Sequence, residues 1–143
     1  MSKTSPPGRR FVKTGLLLIA HGSRQEEANA DLLHVAAELR ARGRPIVAAS
    51  FLELAEPGIE EGGARCVEQG AERVILVPYF LSAGVHVRRD LSAARAKLAE
   101  RFPSIDFRLA EPLGRHPLLL DVVAERAQEA ATTNHTNNTN KSK

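Results

Sequence analysis

The sequence predicts an α/β domain, a three-layer α/β/α sandwich around a four-stranded parallel sheet. Two observations predict it. Short apolar or β-rich runs, the mark of strands covered on both faces, recur four times along the chain. Each run is followed by a segment whose apolar residues repeat at helical spacing. Strands that alternate with helices in this way build parallel sheets, and right-handed crossovers place helices on both faces. The length of 143 residues and a hydrophobic content of 43% suit one domain with a real core.

The elements follow in order. TGLLLIA at 14–20 is the first strand, a continuous apolar run. Ala28, Leu32, Val35 and Leu39 then recur on one face of a helix that Gly43 closes. PIVAASF at 45–51 is the second strand. Pro57 stands where a first helical turn would begin, and Ile59, Cys66 and Val67 share one face of a helix ending near Gly70. RVILVPYF at 73–80, rich in β-branched residues, is the third strand, and Val87, Leu91, Ala94 and Leu98 repeat the helical spacing after it. IDFRLA at 105–110 is the fourth strand, and Leu119, Val122 and Val123 follow Pro117 in a last helix.

The ends differ in character. Residues 1–12 read as a flexible basic arm, residues 13–131 as the α/β domain and residues 132–143 as a disordered polar tail without an apolar residue. The formal charge of +3 is unevenly spread: residues 1–25 carry +5 and residues 132–143 carry +2. Residues 26–131 hold 13 of the 20 Lys and Arg and all 17 Asp and Glu, a net of −4. A mildly acidic body with 4% aromatics and no Trp argues against nucleic-acid binding. The longest apolar run, Leu16–Ala20, is too short for a membrane span or a signal peptide, so the expectation is a cytoplasmic protein without a membrane partner. A single cysteine, Cys66, leaves no intrachain disulfide and no cysteine metal cluster; it reads as core.

In parallel α/β sheets ligands bind beyond the carboxyl ends of the strands. Three such ends are chemically loaded here. The first gives His21, Gly22 and Ser23; the second gives Glu53 and Glu56; the third gives His86, Arg88 and Arg89 within YFLSAGVHVRRD. Ser23 opens SRQE, a capping-box pattern for the first helix. His21 lies outside the helix, beside a glycine, and capping has no need of imidazole. Neutral imidazole suits divalent cobalt, nickel, iron and zinc. Glu53 and Glu56 read either as site carboxylates or as a solvated loop pair. Two arginines at a helix N-terminus work against the helix dipole, and such a broken local rule points to an anionic ligand, with solvated side chains as the alternative. His34 and His135 read as bystanders, and His116, before Pro117, stays open. No phosphate loop of the GxxxxGK[ST] or GxGxxG type is present. AHGSR lacks the arginine that histidine phosphatases place directly before the histidine, since that position is Ala20.

LLLIAHGSR, SFLELAEPGIEEGGARCVEQGAERVILVPYFLSAGVHVRRDL and AEPLGRHPLL together resemble the small sirohydrochlorin chelatases of the CbiX type. The match runs from about Leu16 to Ala127. One departure is DLSAA, where the family carries a proline near Ser92. The resemblance implies a single half-chelatase domain of flavodoxin-like fold and a class II chelatase, a lyase that inserts a divalent metal into a tetrapyrrole without ATP. Sirohydrochlorin, the implied substrate, is a flat ring bearing eight carboxylates, and two pyrrole protons must leave as the metal enters. The resemblance further implies His21, Glu53 and His86 as catalytic residues, with His21 and His86 as metal ligands. Gly22, Ser23, Ser82, Gly84, Arg88 and Arg89 would bind substrate. The metal is itself a substrate, with Co2+ favoured and Fe2+ or Ni2+ as alternatives, in cobalamin or siroheme biosynthesis, and no organic cofactor is expected. Larger relatives have two such halves, so a homodimer is expected to supply the second. A carrier that binds metal or tetrapyrrole without catalysis is the alternative, and Glu53 beside both histidines favours the enzyme.

Overall fold

The computed structural model describes residues 11–133; the basic arm up to Arg10 and the polar tail from Asn134 lie outside the described residues. Four strands, β1 (Thr14–Ala20), β2 (Val47–Phe51), β3 (Arg73–Pro78) and β4 (Asp106–Leu109), alternate with helices α1 (Glu26–Ala41), α2 (Ile59–Glu68), α3 (Val85–Arg101) and α4 (Pro117–Thr132). The strands form one parallel sheet in the order β2-β1-β3-β4. The expected fold class is the one observed.

β1 is central because its residues tolerate burial on both faces. Leu17 and Ile19 are fully buried on one side and Leu18 on the other. Leu17 and Ile19 join the core beneath α2 and α3, with Val74, Leu76, Leu91 and Leu98. Leu18 joins the core beneath α1, with Leu32, Ala36, Val47 and Phe51. Right-handed crossovers explain this division, since the chain steps from β1 one way to β2, then back across β1 to β3 and on to β4.

Glycines let α2 lie close. A Cβ on Gly62 would sit 2.7 Å from Leu17 Cδ1, and one on Gly63 would sit 2.6 Å from Leu98 Cδ2. Sequence periodicity marked Ile59, Cys66 and Val67 as the inner face; the two glycines extend it, because close packing and not bulk defines the contact. Pro57 falls just before the N-cap, Gly58, so the helix begins at Ile59, two residues later than its proline suggested. Ser50 is buried within the sheet, where its hydroxyl donates to the Leu18 carbonyl at 3.0 Å. At the sheet edge Asp106 accepts from Arg108 and Arg73, which hold its carboxyl below the usual range. These charges also blunt the open edge of β4.

The described residues from Leu113 to Thr133 belong to a separate compact unit. His116 is the N-cap of α4: its Nδ1 accepts from the Leu118 N–H at 3.1 Å, with Pro117 at the first helical position. That gives His116 a structural role. Its apolar residues include Leu118, Leu119, Leu120, Val122 and Val123.

Cys66 is fully buried, and its thiol faces the Leu16 carbonyl at 3.8 Å. Burial pushes the thiol up to about 11. Since the thiolate is the nucleophile, alkylation of the native protein by iodoacetamide at pH 8 is expected to run at least about 100-fold slower than in guanidinium, where an ordinary thiol near 8.5 is restored. Comparable rates in the two states would show that Cys66 is accessible.

Candidate functional site

The strand order brings the three loaded strand ends side by side. The chain reverses direction between β1 and β3, so the loops after these neighbours diverge and open a crevice at the carboxyl rim. His21 is the first residue beyond β1 and stands at that crevice.

The β1 and β2 loops are locked together by backbone. The N–H groups of Leu52 and Glu53 donate to the carbonyls of Ala20 and His21 at 2.9 and 3.0 Å, which carries the sheet ladder past the ends of both strands. Gly22 has φ 96°, and a Cβ there would lie 1.8 Å from the Glu53 carbonyl oxygen. The position therefore needs glycine on two counts, conformation and space. The β2 loop closes on itself through the Phe51 N–H, which donates to the Pro57 carbonyl at 2.9 Å. Within it Leu54 holds φ 66°, a left-handed conformation that costs free energy for a non-glycine residue.

The capping-box expectation for Ser23 is corrected. Helix α1 starts at Glu26 with Gln25 at the N-cap and no side-chain cap. Ser23 instead forms a local turn, its Oγ accepting from the Gln25 N–H at 3.0 Å. Asn29 pins this turn from both sides: its Oδ1 accepts from the Ser23 N–H at 3.0 Å and its Nδ2 donates to the Ser23 carbonyl at 2.8 Å. Capping-box spacing cannot distinguish these arrangements, because serine satisfies a nearby amide in either.

The β3 loop brings Ser82 and Gly84 to the surface and starts α3 at Val85, with Gly84 as its N-cap. His86 and Arg89 are exposed in the first turn, and Arg89 makes no ion pair among the described residues. Arg88 is tied to its own surroundings, donating to the Ala83 carbonyl at 3.2 Å and meeting Glu111 at 3.5 Å. The N-caps Gln25, Gly58 and Gly84 of α1, α2 and α3 all lack a side-chain cap hydrogen bond. Of the three, α1 carries Glu26 and Glu27 in its first turn and α2 carries Glu60 and Glu61, so the start of α3, which has no acid there, is the one suited to an anion.

A pocket of about 500 Å³ opens beside His21, with Glu53 and Glu60 on the β2–α2 side and Val87, Asp90 and Lys97 on α3. His86 lies outside its wall. Glu56 faces a neighbouring groove with Ser23 and Arg24. Sequence reading missed Glu60, Asp90 and Lys97. The signal for the last two was the spacing of Val87, Asp90, Ala94 and Lys97, one face of a helix whose apolar members drew attention to the core. Among the described residues no three His, Cys, Asp or Glu side chains gather into a metal-holding group. The rim therefore offers single imidazole and carboxylate donors, which attract a cation and accept protons, beside the start of α3 and Arg89, which attract carboxylates.

Comparison with known proteins accords with this chemistry. A family model described as CbiX matches residues 15–130. The chain is 41% identical over 115 residues to the chloroplastic sirohydrochlorin ferrochelatase of Arabidopsis thaliana, covering 80% of this chain and 51% of that one. It is 34% identical over 122 residues to the sirohydrochlorin cobaltochelatase of Sulfolobus acidocaldarius, covering 85% of this chain and 96% of that one. Its fold matches the crystal structure of the sirohydrochlorin chelatase SirB from Bacillus subtilis subspecies spizizenii in complex with cobalt. There the TM-score is 0.73 and the identity 32%, with 81% of this chain and 50% of that chain covered. The chain thus spans about half the length of the Arabidopsis and Bacillus relatives and nearly all of the Sulfolobus one.

Gly22→Ala is expected to push the β1 loop off Glu53 and break the Glu53–His21 hydrogen bond. The cost is roughly 2–3 kcal/mol, a fall in Tm of about 5–15 °C. Differential scanning calorimetry checks this, and an unchanged Tm would mean that the two loops are not locked.

Proposed function

The chain belongs to the CbiX family, and from that premise we propose that it inserts a divalent metal, cobalt in preference to iron or nickel, into sirohydrochlorin without ATP. The observation that carries the reading is His21, held at the sheet's crevice beside Glu53 by a backbone lock that only glycine at position 22 permits. The cobalt complex of the Bacillus chelatase and the cobaltochelatase name of the Sulfolobus relative support cobalt. The ferrochelatase name of the Arabidopsis relative supports iron as the alternative.

In this reading His21 and His86 hold the incoming metal through neutral imidazole nitrogens. Two protein donors leave coordination positions for the ring nitrogens, so the metal can pass on instead of being trapped. Glu53 receives a pyrrole proton as the metal enters. Arg88 and Arg89, with the amides around Gly22, Ser82 and Gly84 and the Ser23 hydroxyl, whose oxygen accepts from Gln25 while its proton can still donate, bind the peripheral carboxylates of the ring. Arg89 is the freer of the two arginines, since Arg88 already meets Glu111. The products serve cobalamin or siroheme biosynthesis.

A second copy of the chain supplies the other half of the cleft. One observation supports this: the relatives of twice the length. Light scattering is expected to report about twice the chain mass of 15.5 kDa. A wild-type monomer that remains fully active at high dilution would refute the shared cleft.

The visible spectrum of sirohydrochlorin mixed with the protein and Co2+, Fe2+ or Ni2+ tests the activity. His21→Ala and His86→Ala are each expected to lower the insertion rate at least about 100-fold with Tm unchanged, because both side chains are exposed and neither caps a helix. Metal binding without any change in the ring spectrum would instead favour a carrier.

A further inference from the structure

The His21 imidazole makes no hydrogen bond among the described residues. Metal-binding histidines are ordinarily oriented by donating the second ring N–H to a carboxylate or carbonyl. His21 has a different neighbour: its ring stacks on Phe80, with centroids 4.4 Å apart and planes 27° from parallel. Phe80 is 8% exposed and belongs to the core cluster that includes Leu76 and Leu91. The preceding residue, Tyr79, donates its N–H to the Ile19 carbonyl at 2.7 Å. Phe80 is thus fixed to β1 by backbone and to α3 by packing.

We propose that Phe80 is the positioning residue for His21: a buried aromatic face, instead of a hydrogen bond, sets the plane of the imidazole. The proposal rests on the reading of His21 as a metal ligand and names how that ligand is held. The backbone lock at Gly22 and Glu53 places the His21 main chain, and Phe80 restricts the side chain that remains free to turn. Stacking occupies a ring face and neither nitrogen, so one nitrogen can meet the metal while the other stays open to solvent or to a proton. A hydrogen-bonded imidazole would have one nitrogen committed. Offset stacking also tolerates small sliding of the ring, which suits a ligand that must receive a metal and then release it.

The test compares Phe80→Leu, which keeps an apolar side chain and removes the aromatic face, with Phe80→Tyr, which keeps the ring. Calorimetric titration with Co2+ in the absence of tetrapyrrole is read beside steady-state insertion and Tm. Phe80→Leu is expected to weaken Co2+ binding about tenfold and to raise the KM for metal by a similar factor, with a smaller change in kcat. Phe80→Tyr is expected to restore both. The His21 ring protons, shifted upfield in the wild-type NMR spectrum by the stacked ring, are expected to move toward free-histidine positions in Phe80→Leu. If Phe80→Leu does not fold, Phe80→Met, whose flexible side chain fills the space without a ring, takes its place in every measurement. Wild-type Co2+ affinity and KM in the ringless variant would overturn the proposal, as would unshifted His21 protons in the wild type. His21→Ala separates the two levels of the argument. If His21→Ala loses Co2+ binding while the ringless variant does not, positioning alone fails; if His21→Ala keeps binding and insertion, the ligand role itself fails.

Discussion

The burial of β1 on both faces is the constraint on which the rest of the molecule depends. A strand with Leu17, Leu18 and Ile19 all nearly inaccessible needs a strand at each edge and helices above and below. Placing β2 on one side and β3 on the other makes β1 the point of reversal, and the reversal opens the crevice at its carboxyl end. His21 is the first residue past that end. The same packing that excludes water from Leu17 and Ile19 therefore brings an imidazole to the one edge of the sheet where loops part.

Rigidity at the rim comes from backbone more than from side chains. The ladder continues through Leu52 and Glu53 onto Ala20 and His21, and Gly22 fits against the Glu53 carbonyl with no room for a Cβ. Asn29 holds the following turn by two hydrogen bonds. Side chains at the rim are left correspondingly uncommitted: His21 has a stacking partner and no hydrogen bond, and Arg89 has no ion pair among the described residues. A frame held by main chain, with donors left open, suits a site whose cation and polycarboxylate both arrive from solution.

The helix starts follow the same logic. Three consecutive helices lack side-chain caps and α3 carries no acid in its first turn, whereas His116 caps α4. Glycine at the caps of α2 and α3 forgoes only about a few tenths of a kcal/mol relative to a side-chain cap. Because the helices in this topology begin where strands end, the uncapped amides accumulate at one rim. At the start of α3, where no acid stands in the first turn, ligand carboxylates are proposed to complete the hydrogen bonding.

The element order, the parallel sheet and the three loaded strand ends are legible in one dimension. Apolar runs and helical spacing are local consequences of burial and can be read without knowing partners. So could the arginines of α3, since a charge that opposes a helix dipole is visible in one dimension. Contacts between segments far apart in the chain are not legible in this way, because they depend on how the elements pack. Phe80 looked like the end of a strand until its ring met His21, fifty-nine positions earlier. Ser23 matched a capping box, yet Asn29 and Gln25 gave it another task. Asp90 and Lys97 share a helix with core residues, and only the approach of the β2–α2 segment turned their face into a pocket wall. Periodicity reports which side of an element is buried, whereas a site depends on which elements come together at that side, and that is settled by the packing of the sheet as a whole.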